Sequence, residues 1–353
     1  MAVYFSGIQQ VGIGVVDAAD MFSYYRSAFG MDIRMFDDAA EAPLMTAYTG
    51  GRVQERRAIL ALNLNGGGGF EIWQYTSRSP RSPEQSPRLG DLGICSIKLK
   101  SFNLDASHAY HRQQNEHVSE VFTNPAGQRH YTFMDKVGNL FNVIDYPVDH
   151  FSRIVSHGEM GGVGGALIGC RDLDASLPFY QEILGYDRTL FDEFGSFNDL
   201  GYLPGGNRRF RRVLLERSTP TQGPFARMLG RTQIELVQLT EESGRKIFTD
   251  RYWGDLGFIH LCFDVQGMDE LKTRCASAGH PFTVDSANTF DMGEAGGRFA
   301  YVEDPDGTLI EFVETHKLPL LKTPPLSIDL KKRNPAKPLP NLLLKGLRFN
   351  RVK

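Results

Sequence analysis

The sequence predicts an α+β protein built from four βαβββ modules. Three observations predict it: an internal duplication, a strand-then-helix periodicity that opens each quarter, and tight glycine turns before the closing strands. Val15 to Arg57 resembles Cys170 to Arg212 at an offset of 155, with Asp17 on Asp172, Tyr25 on Tyr180, Gly30 on Gly185 and Gly50-Gly51 on Gly205-Gly206. The offset grows to 164, where Glu71 falls on Glu235 and the GDLG at 90–93 on that at 254–257. It reaches 169 where Asp135 and Gly138 fall on Asp304 and Gly307. Offsets that only grow mean a duplication whose second copy gained short loop insertions. The nine-residue gain falls in ERSTPTQGPFARMLGRTQ, which is rich in turn formers.

Each copy divides again. VGIGVVD followed by AADMFSYYRSAFGMD reads as a strand and an amphipathic helix, with Met21, Phe22, Tyr25 and Phe29 on one face and Gly30 closing the helix. ALIGCRD and LDASLPFYQEILGYD repeat the pattern with Leu177, Tyr180, Leu184 and Gly185. RAILALNLN with FEIWQY, and RRVLLER with QIELVQL, are spaced like antiparallel strands. GICSIKLKS and GFIHLCFDV open the other two quarters, and HYTFMDKVGNLFNVIDY and RFAYVEDPDGTLIEFVET close them around glycine turns. The modules therefore lie near 7–76, 90–147, 161–240 and 254–316. TSRSPRSPEQSPR at 76–88 reads as a surface linker, and the GGGG at 66–69 as a hairpin turn, since no helix follows it.

The 353 residues are 41% hydrophobic and 23% charged with a formal net charge of −3, which excludes wholesale disorder and a whole-protein basic field for nucleic acid. No apolar run approaches the ~18 residues of a membrane span, and MAVYFSGIQQ lacks the layout of an export signal, so a soluble cytoplasmic protein is expected. Cys95, Cys170, Cys262 and Cys275 form no CxxC pair and sit in apolar runs, as small buried hydrophobes do. Residues 317–353 stand outside the repeat, with ten Lys/Arg, one Asp and six prolines. They read as an extended basic arm over the acidic body or over a twin subunit, a clasp for a homodimer.

Four βαβββ modules, a helix ending in FYQEILGY (179–186) and a last strand EDPDGTLIEF (303–312) resemble the vicinal oxygen chelate superfamily. That group includes glyoxalase I, methylmalonyl-CoA epimerase, fosfomycin resistance proteins, bleomycin-binding proteins and extradiol dioxygenases. The resemblance covers roughly residues 7–316. It implies that paired modules form cup-shaped half-barrels around one divalent ion (Zn, Ni, Co, Mn or Fe), with ligands from the first and last strands of each module. Module one offers Gln10 and Glu71, module two Ser96 and Asn142, module three Gly165 and Glu235, module four His260 and Glu311. His260 and Glu311 interrupt apolar strands, where an unpaired charge is costly and a shared cation explains both.

Two pairings are open. Consecutive pairing gives a ligand-poor first domain, 1–147, and a second, 148–316, whose site is Glu235, His260 and Glu311, with Gly165 leaving room for water or substrate. It is favoured because sequence neighbours are usually spatial neighbours. Pairing module one with module four gives Gln10, Glu71, His260 and Glu311, the combination seen in some glyoxalases. The resemblance implies a lyase or isomerase that stabilises an enediolate-like intermediate of a substrate with vicinal oxygens. Glu235, or Glu71 in the other pairing, is the candidate base beside Glu311. A binding or resistance protein without turnover, and an extradiol-type or hydroxyphenylpyruvate-type Fe(II) dioxygenase, are the alternatives. Arg211, Tyr202 and Phe225 are candidate substrate contacts at the cup mouth, and His130 is out of ligand register.

Overall fold

The computed structural model describes residues 2–114, 117–147, 150–153, 157–287, 290–292, 295–321 and 326–352. The first module comprises β1 (Tyr4–Gly14), α1 (Ala18–Phe29), β2 (Ile33–Glu41), β3 (Glu55–Leu62) and β4 (Gly69–Tyr75). Asp17 caps α1 by accepting from the amides of Ala19 and Asp20, and Gly30 ends it with φ 66°. The second module holds β5 (Gly93–Ser101), α2 (Leu104–Gln114), β6 (Phe122–Thr123), β7 (Arg129–Met134) and β8 (Leu140–Asp145). The third holds β9 (Met160–Gly169), α3 (Leu173–Pro178), β10 (Arg188–Gly195), β11 (Phe210–Glu216), the one-turn α4 (Ala226–Leu229) and β12 (Gln233–Leu239). Beyond Pro178, α3 widens into a π-helical turn over Phe179–Ile183. The fourth holds β13 (Gly257–Gln266), α5 (Met268–Ser277), β14 (Val284–Asp285), β15 (Phe290–Met292), β16 (Ala295–Glu303) and β17 (Leu309–Leu321). The tail adds β18 (Leu326–Asp329) and α6 (Asn341–Lys345).

The sheet order corrects the expected pairing. One curled sheet runs β14-β16-β17-β13-β1-β4-β3-β2, joining module four to module one. The other runs β10-β11-β12-β9-β5-β8-β7-β6, joining module three to module two. The seams are antiparallel pairs of first strands, β1 with β13 and β5 with β9. Domains cut at 147/148 therefore do not correspond to the two half-barrels.

Consecutive modules do meet, through their helices. The Tyr25 hydroxyl of α1 donates to Asp135 in the glycine turn of module two at 2.8 Å, and Tyr180 donates to Asp304 of module four at 2.7 Å. One continuous apolar core, including Tyr25, Phe29, Phe70, Phe133, Phe141, Tyr180 and Phe263, fills the space between sheets and helices. Each sheet thus buries one face in this core and curls the other around a cup. Among the described residues no helix is long and apolar enough to cross a membrane.

Candidate metal centre

In the β1–β13 seam, Gln10 lies opposite Cys262 and Gly12 opposite His260, while β4 places Glu71 beside Gly12 and β17 places Glu311 beside Cys262. Alternate residues share a face. Gln10, Glu71, His260 and Glu311, drawn from both ends of the chain, therefore face one cup. A β-bulge between Ile8 and Gln10 keeps Ile8 and Val11 in the core and turns the residues between them to the cup. Gln9 there lies 3.7 Å from the Cys262 thiol.

Glu71, His260 and Glu311 each offer a ligand atom within 4.8 Å of the others. His260 Nε2 is 3.0 Å from Glu311 Oε2 and 3.4 Å from Glu71 Oε2. Those separations are what neighbouring donors show around an ion bonded at about 2.1 Å. His260 Nε2, Glu311 Oε2 and Gln10 Oε1 are buried with no hydrogen-bond partner among the described residues, the condition of atoms whose partner is a cation. The donors suit a divalent ion: two carboxylates balance its charge, and one imidazole and one amide oxygen add neutral donors.

The walls hold His260 in place. A Cβ at Gly12 would lie 2.3 Å from His260 Cε1, so only glycine lets the ring lie over β1. Tyr301 packs edge-on to the ring with centroids 5.5 Å apart, its hydroxyl 3.5 Å from Nδ1, while Nε2 faces the carboxylates. Trp253, from the segment before β13, lies nearly parallel to the ring at 6.5 Å and meets Trp73 at 4.7 Å. Burial alone would lower the His260 pKa, but Glu311 and then Glu71 push it up to about 9.

The second cup is different. Glu235 is not near His260; it lies in the other sheet, where Lys98 bonds it at 2.7 Å and Arg212 at 2.8 Å. Arg212 also grips Asp199 through two bonds of 2.9 and 3.0 Å. His130 lies 3.3 Å from Asp199 and 2.7 Å from Asn142. All six side chains are buried. Burial raises the Glu235 pKa, but Arg212 and Lys98 outweigh it and hold the carboxyl at about 2. The room expected at Gly165 is closed by the Gln233 carbonyl of β12, 2.0 Å from where a Cβ would stand, with the Lys98 stem beyond it at 3.2 Å. Two protein cations thus fill the place where the first cup converges its donors.

The other expected contacts lie elsewhere. Arg211 faces outward and pairs with Asp192 and Asp174. Tyr202 is 40% exposed in the loop before β11, and Phe225 is buried with Leu339 and Leu344 of the tail. Sequence reading missed Gly12, Lys98, Asp199 and Trp253. Of these only Gly12 left a usable signal, a glycine inside the strand VGIGVV.

Residues 162–312 match the family model of the Glyoxalase/Bleomycin resistance protein/Dioxygenase superfamily. That stretch, from within β9 to within β17, resembles the superfamily. The fold is similar to glyoxalase I from Zea mays, at 12% identity and TM-score 0.51 over 89% of this chain and 92% of that one. It is also similar to a putative dioxygenase from Bacillus subtilis, at 13% identity and TM-score 0.55 over 89% and 86%. No curated protein sequence matches the chain.

Proposed function

We propose that this protein is a divalent-metal-dependent enzyme of the glyoxalase or epimerase type, acting on a small substrate with vicinal oxygens. The match of residues 162–312 to the superfamily model supports a metal-dependent small-molecule enzyme. The observation that carries the finer reading is the convergence of Glu71, His260 and Glu311, with Gln10 on the same face. An ion held by these residues supplies Lewis acidity toward two adjacent substrate oxygens.

The residues divide the remaining work. His260, wedged by Gly12, Tyr301 and Trp253, is the fixed donor. Glu311, closer to His260 and with 9% of its side chain exposed, is the second anchor. Glu71, farther away and 16% exposed, is the looser carboxylate and the one free to take a proton from the substrate carbon and return it. The aromatic wall of Trp73, Tyr75, Trp253 and Tyr301 keeps water from the reacting carbon. A set of two carboxylates, one histidine and one glutamine departs from the two-histidine, one-carboxylate triad of iron oxygenases, which favours proton transfer over oxygen chemistry.

Elemental analysis after incubation with Mn, Co, Ni or Zn should find one ion per chain, because Lys98 and Arg212 already serve as cations in the second cup. Glu311→Gln and His260→Ala should take up less than about a tenth as much. With the metal bound, an α-hydroxycarbonyl substrate should exchange its α-proton with solvent deuterium, and Glu71→Gln should slow that exchange by about 10²–10⁴-fold. Metal uptake indifferent to His260, or oxygen consumption without exchange, would overturn this reading.

A further inference from the structure

Near its end the tail holds a short helical run whose two sides differ. α6 (Asn341–Lys345) passes straight into a 3₁₀ turn over Gly346–Asn350. Its inner side is anchored: Leu344 is fully buried in a cluster with Phe151, Phe225, Leu229 and Leu339, and Leu343 and Leu347 pack against that cluster. Both ends are tied down as well. The Leu339 amide donates to the Pro224 carbonyl at 2.8 Å and the Val352 amide to that of Asp32 at 2.9 Å, while Arg351 pairs with the Asp32 carboxylate at 3.1 Å. The outer side is therefore presented on a fixed support.

That outer side carries Leu342 and Phe349, 83% and 79% exposed, the two most exposed large hydrophobic side chains among the described residues. Seven residues separate them. Two helical turns bring them to the same side, about 10 Å apart. Single exposed hydrophobes are ordinary, but a pair held out on one side of an anchored helical run is a contact surface. Cations flank the pair. Lys345 and Arg348 lie between them in sequence, both exposed, and the Arg348 guanidinium stands 5.2 Å from the Phe349 ring centroid. After Asp329 the chain has eight Lys/Arg and no acidic residue, although its net charge is −3. Lys332 pairs with Asp329 and Arg351 with Asp32, whereas Lys337, Lys345 and Arg348 have no carboxylate partner among the described residues.

Apolar side chains flanked by unpaired cations on one helical side match the interface of an anionic bilayer. Long stems let Lys and Arg keep their charge among the headgroups while their apolar neighbours go deeper. A second copy of the chain fits worse, because a twofold contact through this face sets Lys345 and Arg348 against their own counterparts. We propose that this face docks on an anionic lipid surface, with Leu342 and Phe349 entering the acyl boundary and Lys345 and Arg348 meeting the headgroups. No residue of this face belongs to the metal cup.

Flotation of the full chain with phosphatidylcholine vesicles, with and without an equal part of phosphatidylserine, tests it. Binding is expected only where phosphatidylserine is present, and it should weaken at least about tenfold from low to high salt as the surface potential is screened. Leu342→Ser combined with Phe349→Ser should lower partitioning by about tenfold or more, since two side chains no longer leave water. Lys345→Gln combined with Arg348→Gln should lower it by a similar factor. Phe349→Trp should bind as the parent does and shift its emission to the blue on the anionic vesicles, a change that charge attraction alone does not produce. Trp73 and Trp253 are already buried and do not mask it. All four substituted positions are exposed, so near-ultraviolet circular dichroism should stay that of the parent. No flotation with the phosphatidylserine vesicles, serine variants that bind like the parent, or unmoved emission of Phe349→Trp would each overturn the proposal. A parent dimer that the serine substitutions dissolve would give this face to a second copy and overturn it too.

Discussion

At the scale of single residues, the site depends on one missing side chain. Gly12 carries no positive φ, so its backbone would accept alanine, and the damage from Gly12→Ala is purely steric. The new methyl must push the His260 ring off β1 or strain the strand, at about 1–3 kcal/mol. The expected outcome is a folded protein whose metal affinity, measured by chelator competition, falls at least about tenfold. The same histidine sets a pH dependence. Without metal, the native state keeps a proton on His260 up to about pH 9, whereas the unfolded chain releases it near 6.5. The stability this contributes is whole below about pH 6.5 and is lost as pH rises through about 9. Urea midpoints of chelator-treated protein should therefore fall between pH 6.5 and 9, and His260→Gln should flatten the slope. A midpoint that climbs over that window contradicts the charge arrangement described here.

At the scale of one strand, β11 shows what period-two alternation decides. Arg211 and Arg212 are neighbours in sequence, yet one faces solvent with exposed partners and the other lies buried between Glu235 and Asp199. Arg212→Met strands two carboxylates in the interior and should cost about 3–5 kcal/mol in denaturant unfolding, whereas Arg211→Met should cost about 1 kcal/mol or less. The sequence reading took Arg211 as the cation at the cup mouth, one residue off. A strand's pattern says that alternate residues share a face, not which face is the cup, and a slip of one exchanges the two sets. His260 and Glu311 were legible for the opposite reason. Each stands as a charged group among apolar neighbours, so no reading left them unexplained.

At the scale of the whole molecule, the duplication and its four modules were legible because repeated side chains report a repeated fold. The partner of each first strand was not. β1 and β9 carry the same kind of pattern, as do β5 and β13, so both pairings satisfy hydrophobic alternation equally. Chain length hardly separates them, because closing a long loop costs only slightly more than closing a short one. The β1–β13 seam carries a side-chain fit that periodicity does not show, Gly12 under His260. The consequence is a chain whose halves cannot function apart. A protein split between Pro147 and Val148 leaves 148–353 with His260 and Glu311 but without β1 and Glu71, and exposes the full edge of β13. Exposed edges of that length promote aggregation. Each half expressed alone should therefore be aggregation-prone and bind no stoichiometric metal, while the two co-expressed should purify together with one ion per pair. Size-exclusion chromatography with elemental analysis decides it: a soluble 148–353 fragment that loads metal by itself would mean that the β1–β13 seam does not build the site.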